Sequence, residues 1–177
     1  MRWVEIKYQD PATQTYLGSP TIVRAPGGDL LAAYDYFGPG CPRSREDEEY
    51  LTCVCRSADN GATWTPVAEV VGALWSSLFV AAGDVYLLGT SQQYGSIVIR
   101  RSRDNGRAWS DPHDEATGLL FRAGPFREPP NYHCAPTPVL LKDGRLYRAF
   151  EDCSPCTWGP GFQALVIFSV SRIVAWR

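Results

Sequence analysis

The stretch SADNGATW at residues 57–64 recurs as SRDNGRAW at residues 102–109, so the pattern S-x-D-N-G-x-x-W occurs twice. Each copy follows an apolar run rich in β-forming residues. Asn-Gly supplies the positive φ angles that tight hairpin turns need. The Ser and Asp side chains can bond the turn's own backbone, and the Trp starts the next strand and packs beneath the turn. The pattern predicts two equivalent turns, named here the first (57–64) and second (102–109) tryptophan turns.

A longer repeat supports this interpretation. Hairpins of two apolar runs joined by a Gly/Asp turn begin at Pro20, Ser77 and Pro136, at intervals of 57 and 59 residues. Self-similarity at this spacing is typical of architectures in which each unit is one four-stranded blade. No amphipathic helix is evident. The sequence therefore predicts an all-β chain.

The repeats divide one domain, residues 1–177, into three units. The first covers about 17–72, with strands near 18–25, 29–36, 49–56 and 64–71. The second covers about 73–115, with strands near 74–81, 84–91, 94–102 and 109–112, and a loop at 112–133 follows it. The third, incomplete, covers about 134–177, with strands near 134–141, 145–151 and 162–170. The alternating run at 2–9 is expected to be a strand that closes a ring.

The repeated turn resembles the Asp-box, or bacterial neuraminidase repeat, of the sialidase-like β-propellers. The resemblance implies a six-bladed propeller, of which this chain supplies about three blades. A half ring exposes two apolar sheet faces, so we expect a truncated chain or self-association through those faces. The residues that the resemblance makes structural are Ser57, Asp59, Gly61, Trp64, Ser102, Asp104, Gly106 and Trp109.

Composition narrows the classes of partner. The net charge is −2 and the charges are interspersed, so no nucleic-acid partner is expected. No run of about 18 apolar residues predicts a membrane span, and the N-terminus lacks a signal peptide, which makes the cytoplasm the default location. The turns lack the acidic spacing of a calcium loop, so neither a metal nor a cofactor is expected.

Five of the six cysteines fall into two groups. Cys53 and Cys55 lie two apart on one predicted strand, which is poor geometry for a disulfide, so both are expected to be buried free thiols. Cys134, Cys153 and Cys156 could form a disulfide if the protein is exported. A zinc site is the other alternative, although no second pair of ligands matches it.

Two long loops at one end of the predicted blades, residues 36–48 and 110–133, carry the candidate site. Loops longer than about a dozen residues in a compact fold are usually functional. Asp35 and Glu151 occupy matched repeat positions at the ends of second strands. The residues expected to bind substrate around them are Tyr36, Arg43, Arg127 and His133.

The sialidase resemblance assigns further roles. Its carboxylate-binding Arg position corresponds to Gly18 here, and its general acid to Asp47, with Glu46 and Glu48 as register alternatives. The implied function is a glycoside hydrolase, or part of one, acting on sialic acid or another sugar, with Asp47, Asp35 and Glu151 catalytic. The alternatives are a non-catalytic propeller that binds glycan or protein, and a fragment without independent activity.

Overall fold

The computed structural model describes residues 3–135, 137–153 and 164–172. These residues form twelve β-strands, arranged in three antiparallel sheets, and one short 3-10 helix at Pro11–Thr13. The prediction of an all-β chain is confirmed.

The first sheet matches the predicted unit closely. Its four strands pair in chain order, and each end lies within two residues of the predicted position. The strands are β1 (Tyr16–Arg24), β2 (Leu30–Phe37), β3 (Leu51–Ser57) and β4 (Thr65–Val71).

The second sheet departs from the prediction at its fourth strand. Its strands are β5 (Leu74–Ala81), β6 (Asp84–Thr90), β7 (Ile97–Ser102) and β8 (Leu119–Phe121). The strand expected at 109–112 is wrong: Ser110 N still donates to Arg101 O at 2.9 Å, but Pro112 then follows and has no N–H for the ladder. A turn in which Thr117 N donates to Asp114 Oδ1 at 2.8 Å diverts the chain before β8 begins.

The third sheet has a divided first strand. β9 (Tyr132–His133) and β10 (Leu140–Lys142) both pair with β11 (Arg145–Cys153), which also pairs with β12 (Ala164–Arg172). The single strand expected at 134–141 is therefore replaced by two short ones. Pro138 lies in the gap between them, where it cannot donate to the ladder. The start of the strand expected at 162–170 lies outside the described residues.

The second sheet lies between the other two, so the sheets follow one another as the blades of a propeller do. Buried Leu31, Val54 and Leu87 belong to the core shared by the first two sheets. The second and third sheets pack around a core that includes Leu88 and Phe150. Each such side chain contributes about 1.5–3 kcal/mol when fully buried.

The opposite face of the first sheet, named here the open face, carries Tyr34, Cys53 and Cys55. The strand expected at 2–9 is wrong for the described residues 3–9, which are irregular. Ile6 instead packs against this open face. Cys53 and Cys55 are buried free thiols, as expected, and Cys41 and Cys134 are free as well, whereas Cys156 lies outside the described residues.

Both tryptophan turns have the expected internal bonding. In the first, Gly61 N donates to Ser57 Oγ at 2.8 Å and Trp64 Nε1 donates to Gly61 O at 3.2 Å. In the second, the same two bonds from Gly106 and Trp109 measure 2.8 and 3.0 Å.

Both turns also lie at the same end of the sheets, next to the β1–β2 turn. Arg24 Nη2 donates to Asn60 Oδ1 at 2.9 Å, and Gly27 lies so close to Asn105 that an added Cβ would be 3.0 Å from its Nδ2.

Candidate functional site

The backbone of Trp75, at the start of β5, is held in an unusual conformation by two other sheets. Its φ is 47°, and the pairing of β5 with β6 is irregular between Leu74 and Ser77. Trp75 N donates to Asp35 Oδ2 at 2.7 Å, and Arg148 Nη2 donates to Trp75 O at 2.7 Å. A bulky residue with a positive φ costs about 1–3 kcal/mol. Such a conformation persists only where the surrounding structure holds it, often at functional sites.

Asp35 is a deeply buried carboxyl group, only 2% exposed. Burial raises its pKa to about 7, although hydrogen bonds from Thr52, Ser19 and Trp75 and the charge of Arg148 oppose the shift. The bond from Thr52 Oγ1 to Asp35 Oδ1 measures 2.5 Å. Asp35 therefore exchanges a proton near neutrality while it fixes the Trp75 peptide.

Arg148 is equally buried, at 2% exposure. Burial lowers the pKa of its guanidinium, against the influence of Cys134 and Asp35. Its Nε and Nη1 have no hydrogen-bond partner among the described residues. Because buried polar groups are nearly always paired, unpaired donors of this kind mark strain or a binding site. Burial also raises the pKa of Cys134 to about 12, so its thiol donates to Trp75 O, at 3.3 Å.

His133 and Glu151 form the third part of the cluster. They are directly opposite each other in β9 and β11, and His133 Nδ1 is hydrogen-bonded to Glu151 Oε2. The His133 ring lies edge-on to the Trp75 ring, with centroids 4.1 Å apart, and stacks near Tyr94 at 6.4 Å. The Glu151 side chain remains 30% exposed, whereas that of His133 is 10% exposed.

We name this group the Trp75 site: Asp35, Trp75, His133, Arg148 and Glu151. It combines an aromatic ring, a carboxylate–imidazole pair and a guanidinium with unpaired donors. An aromatic surface with a few converging polar groups is the usual composition of a small-molecule site, and a carboxyl group held by an imidazole is a common arrangement for proton transfer.

Three of the residues selected from the sequence meet at this site, namely Asp35, His133 and Glu151. Tyr36 does not: it packs with the residues of the open face, and its ring lies 5.5 Å from that of Tyr34. The placement of Tyr36 beside the other candidates is therefore corrected, because successive residues of β2 point to opposite faces.

Asp47 and Arg43 lie together in the loop after β2. The Asp47 side chain is 88% exposed, its φ is 59°, and its carboxylate is 3.7 Å from Arg43 Nε. Arg43 also donates to Asp47 O at 2.8 Å and to Gly38 O at 3.2 Å, so it braces the loop. These contacts do not join Asp47 to the Trp75 site, and its role as general acid stays a prediction.

The adjacent acid, Glu48, is the buried member of this loop, at 1% exposure. Its Oε1 accepts a bond of 2.7 Å from Arg127 Nε, which joins the two long loops selected from the sequence. Burial raises the Glu48 pKa, and the bond and charge of Arg127 oppose the rise. Arg127 thus contacts a carboxylate of its own chain. Glu46 accepts a bond of 2.5 Å from Gln92 Nε2 and is an exposed loop contact.

Sequence reasoning missed Trp75, Arg148 and Cys134. No sequence pattern distinguishes Trp75 from a core tryptophan. The signal that the sequence offers for Arg148 is its charge at a position of β11 that should be buried, because it alternates with the apolar residues Leu146 and Phe150.

Similar solved structures include two carbohydrate-active enzymes. An α-L-arabinanase from Penicillium chrysogenum, complexed with arabinobiose, is 22% identical with a TM-score of 0.58, covering 95% of this chain and 48% of its own. The GH93 α-L-arabinofuranosidase of Fusarium graminearum with arabinobiose is 16% identical with a TM-score of 0.60, covering 93% and 46%. A protein of unknown function from Dyadobacter fermentans is 14% identical with a TM-score of 0.55, covering 97% and 55%.

These similarities establish the fold, which is of the β-propeller type found in glycosidases. The chain spans about half the length of these neighbours. No protein-family model and no curated protein sequence matches it. The narrower resemblance to sialidases stays a prediction. Within the described residues, no helix has the length and apolar character needed to cross a membrane.

Proposed function

We propose that this chain is part of a propeller-type glycoside hydrolase, and that the Trp75 site binds the sugar. The observation that carries the proposal is the convergence of all three sheets on one residue. Asp35 and Arg148 hold the Trp75 peptide from both sides, while His133 and Glu151 lie against its ring. Residues held this firmly in a strained conformation are typical of binding and catalytic sites.

Each part of the site has a distinct role in this proposal. The half-buried Trp75 ring supports the apolar face of a sugar ring. Arg148 fixes the Trp75 backbone through its bond to Trp75 O. Glu151, the most exposed acid of the site, protonates the leaving oxygen of the glycosidic bond, and His133 orients its carboxyl group.

The proposed substrate is a neutral sugar with α-L-arabinofuranosyl linkages. Two of the similar structures are complexes with arabinobiose, and this proposal extends that class of ligand to the present chain. Gly18 occupies the position where the sialidase resemblance requires a carboxylate-binding Arg. Sialosides are therefore the second candidate, and the assay below includes one.

The test compares the two candidate acids in the complete 177-residue chain. Hydrolysis of arabinobiose, whose leaving group needs a proton, should fall at least about 100-fold in Glu151→Gln. Hydrolysis of 4-nitrophenyl α-L-arabinofuranoside should fall much less, because nitrophenolate leaves without protonation. Asp47→Asn serves as the matched control and should change both rates less than about twofold.

Other outcomes would redirect or overturn the proposal. Loss of activity in Asp47→Asn alone would move the general acid to the loop, as the sequence resemblance implies. Hydrolysis of a 4-methylumbelliferyl sialoside instead would restore the sialidase assignment. Binding of arabinobiose without hydrolysis would indicate a non-catalytic propeller, and absence of both would refute a carbohydrate function for this chain.

A further inference from the structure

A cavity lies at the opposite end of the sheets from the Trp75 site, beside the second tryptophan turn. It has a volume of about 500 Å³ and exists because the chain leaves the sheet after Ser110 and returns only at Leu119. In the first sheet, β4 begins directly after Trp64. We name it the outer cavity; among its lining residues are Tyr86, Ile99, Arg100, Trp109, Asp111 and Ala116.

Arg100 is the polar residue that gives the outer cavity its chemistry. Its side chain is 9% exposed. Its Nη1 donates to Ser110 O at 2.9 Å and contacts Asp111 Oδ1 at 3.4 Å, while Nη2 donates to Val71 O and Gly72 O, both at 3.1 Å. These bonds occupy the terminal donors, and the Nε is buried with no partner among the described residues.

The charge balance of the outer cavity indicates a neutral ligand. A single free N–H can serve one acceptor oxygen, whereas carboxylates and phosphates are usually held by paired donors. Asp111, with a side chain 87% exposed, also lines the cavity and would repel an anion. The same carboxylate can accept hydrogen bonds from hydroxyl groups.

The aromatic wall gives the shape of that ligand. The half-buried Trp109 lines the outer cavity and also a neighbouring groove of about 310 Å³, which Arg100 lines as well. An aromatic ring that lines two neighbouring hollows suits a chain of sugar rings better than a single sugar ring. A cavity of this size with an apolar lining and few polar groups is typical of ligand sites.

We propose that the outer cavity binds a sugar residue within a neutral polysaccharide chain, separately from the Trp75 site. A sugar ring packs against Trp109, one of its oxygens accepts from Arg100 Nε, and a hydroxyl group donates to Asp111. The proposal does not depend on the hydrolase activity proposed above. The function of the outer cavity is to keep the protein attached to the polysaccharide.

Affinity electrophoresis of the complete chain in gels that contain soluble arabinan, xylan or galactomannan tests this. At least one polymer should retard the protein. Ala116→Phe, which fills the mouth of the outer cavity, should weaken that retardation about tenfold or more in the fitted dissociation constant. Ala62→Phe is the control, because Ala62 is an equally exposed alanine in the first tryptophan turn.

Two further variants make every outcome decisive. Asp111→Ala, an exposed change that should leave the fold intact, should weaken retardation several-fold, and Ala116→Phe should weaken it by the same factor in the Trp75→Gly background as in the unmodified chain. Loss of retardation in Trp75→Gly alone would overturn the outer cavity while retaining the Trp75 site. Absence of retardation by all three polymers, or equal retardation of the two phenylalanine variants, would also overturn it.

Discussion

The two ends of the sheets use an aspartate in opposite ways. At the tryptophan-turn end, hydrogen bonds from Thr63 and Ser57 lower the pKa of the exposed Asp59 to about 2. At the other end, Asp35 also accepts several hydrogen bonds, yet burial raises its pKa to about 7. The difference is hydration, because desolvation penalises the charged form more than these bonds favour it. The hydrogen bonds of the tryptophan turns stabilise the charged form of Asp59, whereas burial at the Trp75 site destabilises the charged form of Asp35.

The largest expected effect concerns the turn end. Trp64→Ala removes a ring that packs on the open face with Tyr34 and Cys55, and should lower the free energy of unfolding by about 3–5 kcal/mol. Arabinobiose affinity of the folded fraction should not change. Urea denaturation measures the stability, with Trp3→Ala, 79% exposed, as the control. A Trp64 variant of normal stability that loses ligand would reverse the roles of the two ends.

The pH dependence of stability should separate the two aspartates. The folded chain keeps the Asp35 proton up to about pH 7, whereas the unfolded chain releases it near 3.8, so Asp35 makes stability fall as the pH rises through this window. Asp59 acts in the opposite sense: its contribution is present above pH 3.8 and is lost as the pH falls towards about 2.

Urea midpoints measured from pH 2 to pH 8 check this prediction. Asp35→Asn should flatten the decline between about pH 4 and 7 and leave the acid limb in place. Asp59→Asn should flatten the acid limb only. An unchanged profile in Asp35→Asn would mean that the Asp35 carboxyl is not desolvated as described.

Backbone strain at Trp75 predicts an inverted preference for glycine. In an ordinary strand, Gly is about 0.5–1 kcal/mol less stable than Ala. At a φ of 47°, Trp75→Gly should instead be more stable than Trp75→Ala by about 1 kcal/mol. The matched pair Phe79→Gly and Phe79→Ala, within regular β5, should show the normal order. Equal ranking at both positions would remove the strain argument.

The serines of the two turns should show smaller effects than Trp64, and the two effects should match. Ser57→Ala and Ser102→Ala each remove the acceptor of a glycine N–H and should cost about 1–2 kcal/mol. The two losses should agree within about 0.5 kcal/mol, because the bonds are equivalent. Thermal denaturation checks this, and a large difference would show that the repeats are not energetically equivalent.

Local patterns predicted most of the fold. The turn chemistry of 57–64 and 102–109 and the alternation of the flanking runs located the first sheet closely. They failed where tertiary packing decides: Pro112 and the turn at 114–117 moved β8, and Pro138 lies where the first strand of the third sheet divides. The strand expected at residues 3–9 also failed, because a strand needs a pairing partner and the local sequence does not show whether one is present.

The candidate site was only half predictable, for a similar reason. Asp35 and Glu151 stood out because they occupy the same place in successive repeats, and His133 because of its loop. Trp75 became visible only when contacts from two other sheets to its peptide were known. Whether the chain associates through its open face stays a prediction.

The central claim is that the Trp75 ring forms a sugar-binding surface. Isothermal titration of arabinobiose into the complete chain tests it most directly, with Trp75→Gly compared against Trp3→Gly, the same change at an exposed tryptophan. We expect saturable binding in the unmodified chain and in Trp3→Gly, and at least about a tenfold loss of affinity in Trp75→Gly. Unchanged affinity in a folded Trp75→Gly variant would contradict the claim.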